Sequence, residues 1–225
     1  MDYLRQDSDN LIEFSIVVAW SGSSIELEKT INFLVKTGMP RNIRESILLC
    51  TYSGNIYPEN NKQYSRLDVG LEHIFERNTF CESLKTCFEY SSLPYVLFLT
   101  AGSKVSWGSI DALYRAARER PDAAAFGPVL RSSAGRIILP PWSRKRFAFL
   151  HYFFMHFITR PADVEPVSKL FSDAFLVRGD ALSAMNSQLS PYDQNQFFKE
   201  LMRFGDVLYV SAAQLLSLSL DGPKR

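Results

Sequence analysis

The side chains able to do chemistry are spread unevenly along this sequence. Thr100, Ala101, Gly102, Ser103 and Lys104 follow directly on the apolar run Tyr95-Val96-Leu97-Phe98-Leu99. A short apolar run that breaks into small polar residues reads as a buried strand of a parallel sheet. In open α/β sheets, ligands sit just beyond the carboxyl ends of such strands. Thr100, Gly102, Ser103 and Lys104 are therefore candidate ligand contacts. Lys104 is the best-placed cation for an anionic group, and backbone N–H groups beside it could add to its effect. Asp173 interrupts another apolar stretch, Leu170 to Val177. A carboxylate there needs either a cation, such as Arg178, or the edge of a cleft. Asp193 stands three residues after Ser190, the spacing of a helix cap. His73, His151 and His156 form no triad, and Cys50, Cys81 and Cys87 match neither a disulfide framework nor a zinc motif.

These residues need elements to position them. Phe14 to Trp20 reads as a buried strand, followed by the loop Ser21-Gly22-Ser23-Ser24. Ser23 and Glu26 are spaced as a capping box, and Leu27, Ile31 and Leu34 line one face of the helix it opens. Gly38 and Pro40 stop that helix, and Ser46 to Thr51 is a second strand. A short strand is expected within 64–70, a helix from Thr79, a strand at 95–99 and a helix from Ser109. This alternation predicts a doubly wound α/β domain with a right-handed first crossover. Further on, a strand is expected at Ala123–Gly127 and a hairpin at Val129–Leu139 turning on Ser133-Ala134-Gly135. Then come a strand to Val177, a helix start near Arg178–Leu182, a helix from Ser190 to Arg203 and a last strand at Val207–Val210.

Length and composition bound the class. The chain has 225 residues, of which 46% are hydrophobic and 22% charged, enough for one good-sized domain. The formal net charge of +1 gives no field for nucleic acid. The sparse cysteines fit a reducing, cytoplasmic setting. The polar start Met1-Asp2-Tyr3-Leu4-Arg5 is unlike a signal peptide. No apolar run reaches the ~18 residues of a membrane span. Trp142 to Ile158 sets Arg144-Lys145-Arg146 before an aromatic run. That pattern suits an anionic membrane surface, packing on the sheet, or a homo-oligomer face.

Four stretches carry a resemblance: "FSIVVAW", "VLFLTAGSKVSWGSIDAL", "AFLVRGDAL" and "SPYDQNQFFKELMRFGDVLYV". Their order and spacing resemble a family 2 glycosyltransferase of the GT-A fold over roughly residues 13–215. The resemblance implies a Rossmann-like mixed, mostly parallel sheet flanked by helices. It implies a single domain with a polar lead-in at 1–12, a basic-aromatic insertion at 140–168 and a tail at 216–225. It further implies a nucleotide-sugar donor, a glycan or lipid-linked acceptor and a role in polysaccharide synthesis. By the same resemblance Asp193 stands where the family has its catalytic acid, and Trp20, Ser21 and Ser23 stand where it places the nucleotide.

The departures concern the chemistry. The family carries Asp-x-Asp where this chain has Thr100-Ala101-Gly102. It ends its second strand with an Asp that contacts the base, where this chain has Thr51, and many members carry a late His ligand that "VSAAQLLSL" lacks. A hard cation needs oxygen ligands, normally with carboxylates among them. The expectation is thus a metal-independent transferase with no cofactor, working in the cytoplasm or at the inner membrane face. The alternative is a GT-A-like module that binds without catalysing. A Rossmann oxidoreductase is excluded by the lack of Gly-x-Gly-x-x-Gly after the first strand.

Overall fold

In the run Phe14 to Ala19, alternate side chains face opposite sides and all are buried, as a central strand requires. This run is β1 (Phe14–Trp20). It is followed by α1 (Ser24–Lys36), β2 (Ile47–Thr51), β3 (Leu71–Ile74), β4 (Tyr95–Thr100) and β5 (Lys104–Val105). Next come α2 (Trp107–Glu119), β6 (Ala125–Arg131), β7 (Val164–Pro166) and β8 (Ala174–Arg178). The chain continues through α3 (Gly179–Ala184), α4 (Gln194–Leu201) and β9 (Val207–Leu216). The computed structural model describes residues 14–20, 24–40, 47–51, 71–74, 93–131, 164–170, 173–185 and 194–216.

The strands form one mixed sheet in the order β3-β2-β1-β4-β8-β6-β9-β5, with β7 paired to β9. Strands β1, β2, β3, β4, β6 and β9 run one way, and β5, β7 and β8 run the other. The two faces bury separate clusters. Ile16, Val18, Leu97 and Leu99 pack with Leu27, Ile31 and Leu34 of α1 and with Ile110 and Leu113 of α2. Val17, Val96, Phe98, Phe175 and Val177 pack with Leu182 of α3 and with Phe197, Phe198 and Leu201 of α4. Each fully buried side chain of this size contributes about 1.5–3 kcal/mol. Two stacked helical layers therefore hold the sheet from both sides.

Several boundaries differ from the sequence expectation. The helix expected from Ser109 begins at Trp107, because Ser106 is its N-cap. The Ser106 hydroxyl accepts from the Ser109 N–H at 3.2 Å, so Ser109 is the third helical residue and not the first. The strand expected within 64–70 lies outside the described residues; β3 follows that range, and its Leu71 pairs with Ile47. The strand expected from Leu170 starts at Ala174. Leu170 stays buried outside it, against Gly127, where an added Cβ would come within 2.6 Å of Leu170 Cδ2. The last strand continues to Leu216, because past an irregularity at Pro128/Val129 it pairs again with β6. Val129 to Arg131 accordingly partner Gln214 to Leu216. The turn expected at 133–135, the helix from Thr79 and the 142–158 segment lie outside the described residues.

Candidate functional site

Register brings the candidate residues to one edge. Trp20 pairs with Thr51 on β2, and Ala19 pairs with Thr100 on β4. Leu99 pairs with Ala174, so Asp173 stands opposite Thr100, and the Thr100 N–H donates to the Asp173 carbonyl at 2.9 Å. Because β8 runs against β4, its beginning lies beside the carboxyl end of β4, at the same edge of the sheet as the carboxyl ends of β1 and β2. Adjacent strands lie about 4.8 Å apart, so Thr51, Trp20, Thr100 and Asp173 span about 14 Å along this edge. Ser21, Ser23 and Asp193 lie outside the described residues. Ser21 follows the last residue of β1, Ser23 precedes α1, and Asp193 precedes the first residue of α4.

The turn after β4 is held on every side. The Ser103 N–H donates to the Thr100 carbonyl at 3.0 Å, closing a four-residue turn. Gly102, at its third position, has φ +96°, the left-handed value that a type II turn demands there. The Ala101 N–H donates to the Ala19 carbonyl at 2.8 Å. The Gly102 N–H donates to Thr30 Oγ1 at 2.8 Å and to the Glu26 carbonyl at 3.2 Å. The Ser103 hydroxyl, buried, donates to the Asp173 carbonyl at 3.0 Å.

All four amides from Thr100 to Ser103 are thus engaged inside the protein. The amide cradle for an anion that the sequence suggested at this turn is not formed, because the turn folds inward onto α1 and β8. Lys104 follows the turn as the first residue of β5, half-buried and paired in register with Leu216.

Asp173 is half-buried, and burial pushes its carboxyl above the usual range. It is not paired with Arg178. That guanidinium lies at the other end of β8, in register with Tyr95. It donates to the carbonyls of Pro121, Ala123 and Phe204 and pairs with Asp180. The position of Asp173 at this sheet edge therefore owes nothing to that cation.

Thr100 to Ser103 do not fit a divalent cation. They bring no carboxylate side chain. Among the described residues, the carboxylate-bearing residues beside the turn are Asp173 and Glu26, and Glu26 side-chain carbons lie 3.8 Å from where a Gly102 Cβ would stand. Among the described residues, no three His, Cys, Asp or Glu side chains gather as a metal site. Thr30 was missed by sequence reasoning, and Glu26 was read only as a capping-box residue. Thr30 looks like one more polar residue on a helix until the 72-residue contact to Gly102 is seen.

No protein-family model matches the sequence, and no curated protein does. Solved structures do match in shape. The structure of GalNAc-T7 with UDP, GalNAc and Mn2+ aligns at TM-score 0.66 and 11% identity, over 93% of this chain and 44% of that one. S. aureus TarS 1–349 in complex with UDP-GlcNAc aligns at 0.63 and 11%, over 92% of this chain and 58% of that one. The mannosyltransferase PcManGT from Pyrobaculum calidifontis, in complex with GDP-Man and Mn2+, aligns at 0.61 and 12%, over 94% and 58%. The fold is GT-A. The chain spans about half the length of these GT-A structures. Among the described residues of this GT-A domain, no helix is long and apolar enough to cross a membrane.

Proposed function

We propose that this chain is a family 2-like glycosyltransferase. It moves a sugar from a nucleotide-sugar donor to a glycan or lipid-linked hydroxyl, without a divalent metal at the β4 turn. The observation that carries this reading is the convergence of Thr51, Trp20, Thr100 and Asp173 on one edge of a GT-A sheet. Three proteins of similar shape are seen with UDP and GalNAc, UDP-GlcNAc or GDP-Man. In the transfer, the acceptor oxygen bonds to the sugar's anomeric carbon as the bond to the diphosphate breaks. The diphosphate leaves with the electron pair, and Asp193 takes the acceptor proton. With the turn amides engaged, compensation of the diphosphate charge falls to Lys104. Trp20, Ser21, Ser23 and Thr51 hold the nucleoside side, and Asp173 meets a sugar or acceptor hydroxyl. The protein works in the cytoplasm, with 142–158 resting on the inner membrane face.

A thermal-shift series with UDP, GDP, CMP and dTDP, each with and without Mn2+, tests the reading. Stabilisation by one nucleotide in the absence of Mn2+ is expected. No shift with any of them would sink it. The second reading is a GT-A module that binds without catalysis. The inward-folded turn favours it, and nucleotide binding with neither transfer nor donor hydrolysis would decide for it.

A further inference from the structure

A turn that directs every amide inward has its position set by the protein, with none of those amides left for a ligand. Two anchors set it. On one side, Asp173 of the β8 entry receives Thr100 N–H and the Ser103 hydroxyl. On the other, α1 receives the Gly102 N–H through Thr30 Oγ1 and the Glu26 carbonyl. Thr30 is 1% exposed, and its hydroxyl donates to the Glu26 carbonyl at 3.2 Å while accepting from Gly102. The hydroxyl therefore has both a donor and an acceptor role, and only Ser or Thr reproduces both at that depth.

We infer that Thr30 is a positioning residue for the ligand edge: its hydroxyl fixes the Thr100–Ser103 turn, and with it the departure of Lys104, at the height where a nucleotide diphosphate is received. This inference rests on the proposed nucleotide-sugar reading. Lys104 is the residue next to the anchored turn, so the turn, with the pairing of β5, sets where its side chain leaves the backbone. A small displacement at a binding group costs far more in a preorganised site than in a flexible one. The α1 anchor thus does in this chain, by hydrogen bonds internal to the fold, the orienting of the β4 turn.

The test is isothermal titration calorimetry of the full chain with UDP-GlcNAc, GDP-mannose and UDP, with thermal melting run in parallel. For whichever of these wild type binds, Thr30→Val, which keeps shape and removes the hydroxyl, is expected to weaken binding about tenfold. Thr30→Ser, which keeps the hydroxyl, is expected to restore binding to within about twofold of wild type. A purely structural role would lower the melting temperature in Thr30→Val and leave the affinity of the folded protein unchanged. That result overturns the inference, as does equal weakening by Thr30→Ser and Thr30→Val. If Thr30→Val does not fold, Ser103→Ala carries the test from the opposite anchor, and wild-type affinity in that variant overturns it. No binding of any of the three probes by wild type removes the nucleotide-sugar reading and the inference together. Unchanged binding in the variants removes the inference alone.

Discussion

The Ser103 hydroxyl reaches across 70 residues of sequence to the backbone carbonyl of Asp173, 3.0 Å away. That one bond ties the end of β4 to the start of β8. It also makes the Asp173 carbonyl a double acceptor, since the Thr100 N–H already donates to it. The carboxylate of Asp173 is left at the sheet edge on a fixed backbone.

Removing this bond has a defined cost. Ser103→Ala leaves no acceptor orphaned, because Asp173 keeps the Thr100 N–H. The expected loss of stability is about 1 kcal/mol. Urea unfolding checks it, and an unchanged midpoint would show that the bond is not worth making.

Asp173 should carry a pH signature. Its folded-state pKa is raised by burial, so as pH rises the unfolded chain gives up its proton first. The ionised group therefore weighs against folding above its folded pKa, and the penalty vanishes below the ordinary value of 3.8. Asp173→Asn keeps the shape and removes the charge. It should be more stable than wild type at pH 7, by a margin that shrinks toward about pH 4. Denaturant midpoints at several pH values check this; a margin independent of pH would contradict it.

Two glycines with positive φ should respond differently to alanine. At Gly102 the nearest atoms a Cβ would meet are Glu26 side-chain carbons at 3.8 Å, ordinary contact, so the cost is the left-handed conformation, about 1–2 kcal/mol. At Gly205, φ is +154° and a Cβ would stand 2.1 Å from the Asp122 carbonyl oxygen and 2.9 Å from the Ala124 nitrogen. Backbone cannot yield as a side chain does. Gly205→Ala should therefore cost more than about 3 kcal/mol or prevent folding. Chemical denaturation of the two variants side by side is the measurement.

Arg178 joins segments far apart in sequence, through carbonyls of Pro121, Ala123 and Phe204. Arg178→Lys keeps the charge and loses the planar fork. It should lose about 2 kcal/mol of stability and leave nucleotide affinity unchanged, since Arg178 lies at the opposite end of β8 from Asp173. Calorimetric binding and urea unfolding separate the two effects.

Much of the fold was legible because its signals are local. The apolar runs at Phe14–Trp20 and Tyr95–Leu99 are strands as read, and the Leu27, Ile31, Leu34 stripe is buried on α1. The convergence of Thr51, Trp20 and Thr100 followed from strand order and polarity. What stayed hidden is non-local. The length of β9 depends on partners in β6 and β5, and the Thr30 anchor depends on a turn 72 residues away. Ser106 and Ser109 both suit a helix start, and only the hydrogen bond from the Ser109 N–H to the Ser106 hydroxyl shows which is the cap.

Placing β8 between β4 and β6 has a consequence for synthesis. Leu97 of β4 pairs with Leu176 of β8, 79 residues later in the chain. At about 5–20 residues per second, the ribosome leaves β4 without that neighbour for roughly 4–16 s. During that interval an apolar strand, Val96 to Leu99, presents open N–H and C=O groups along one side. The nascent chain is therefore most prone to self-association midway through translation, and holding chaperones should engage it most before residue 174 emerges.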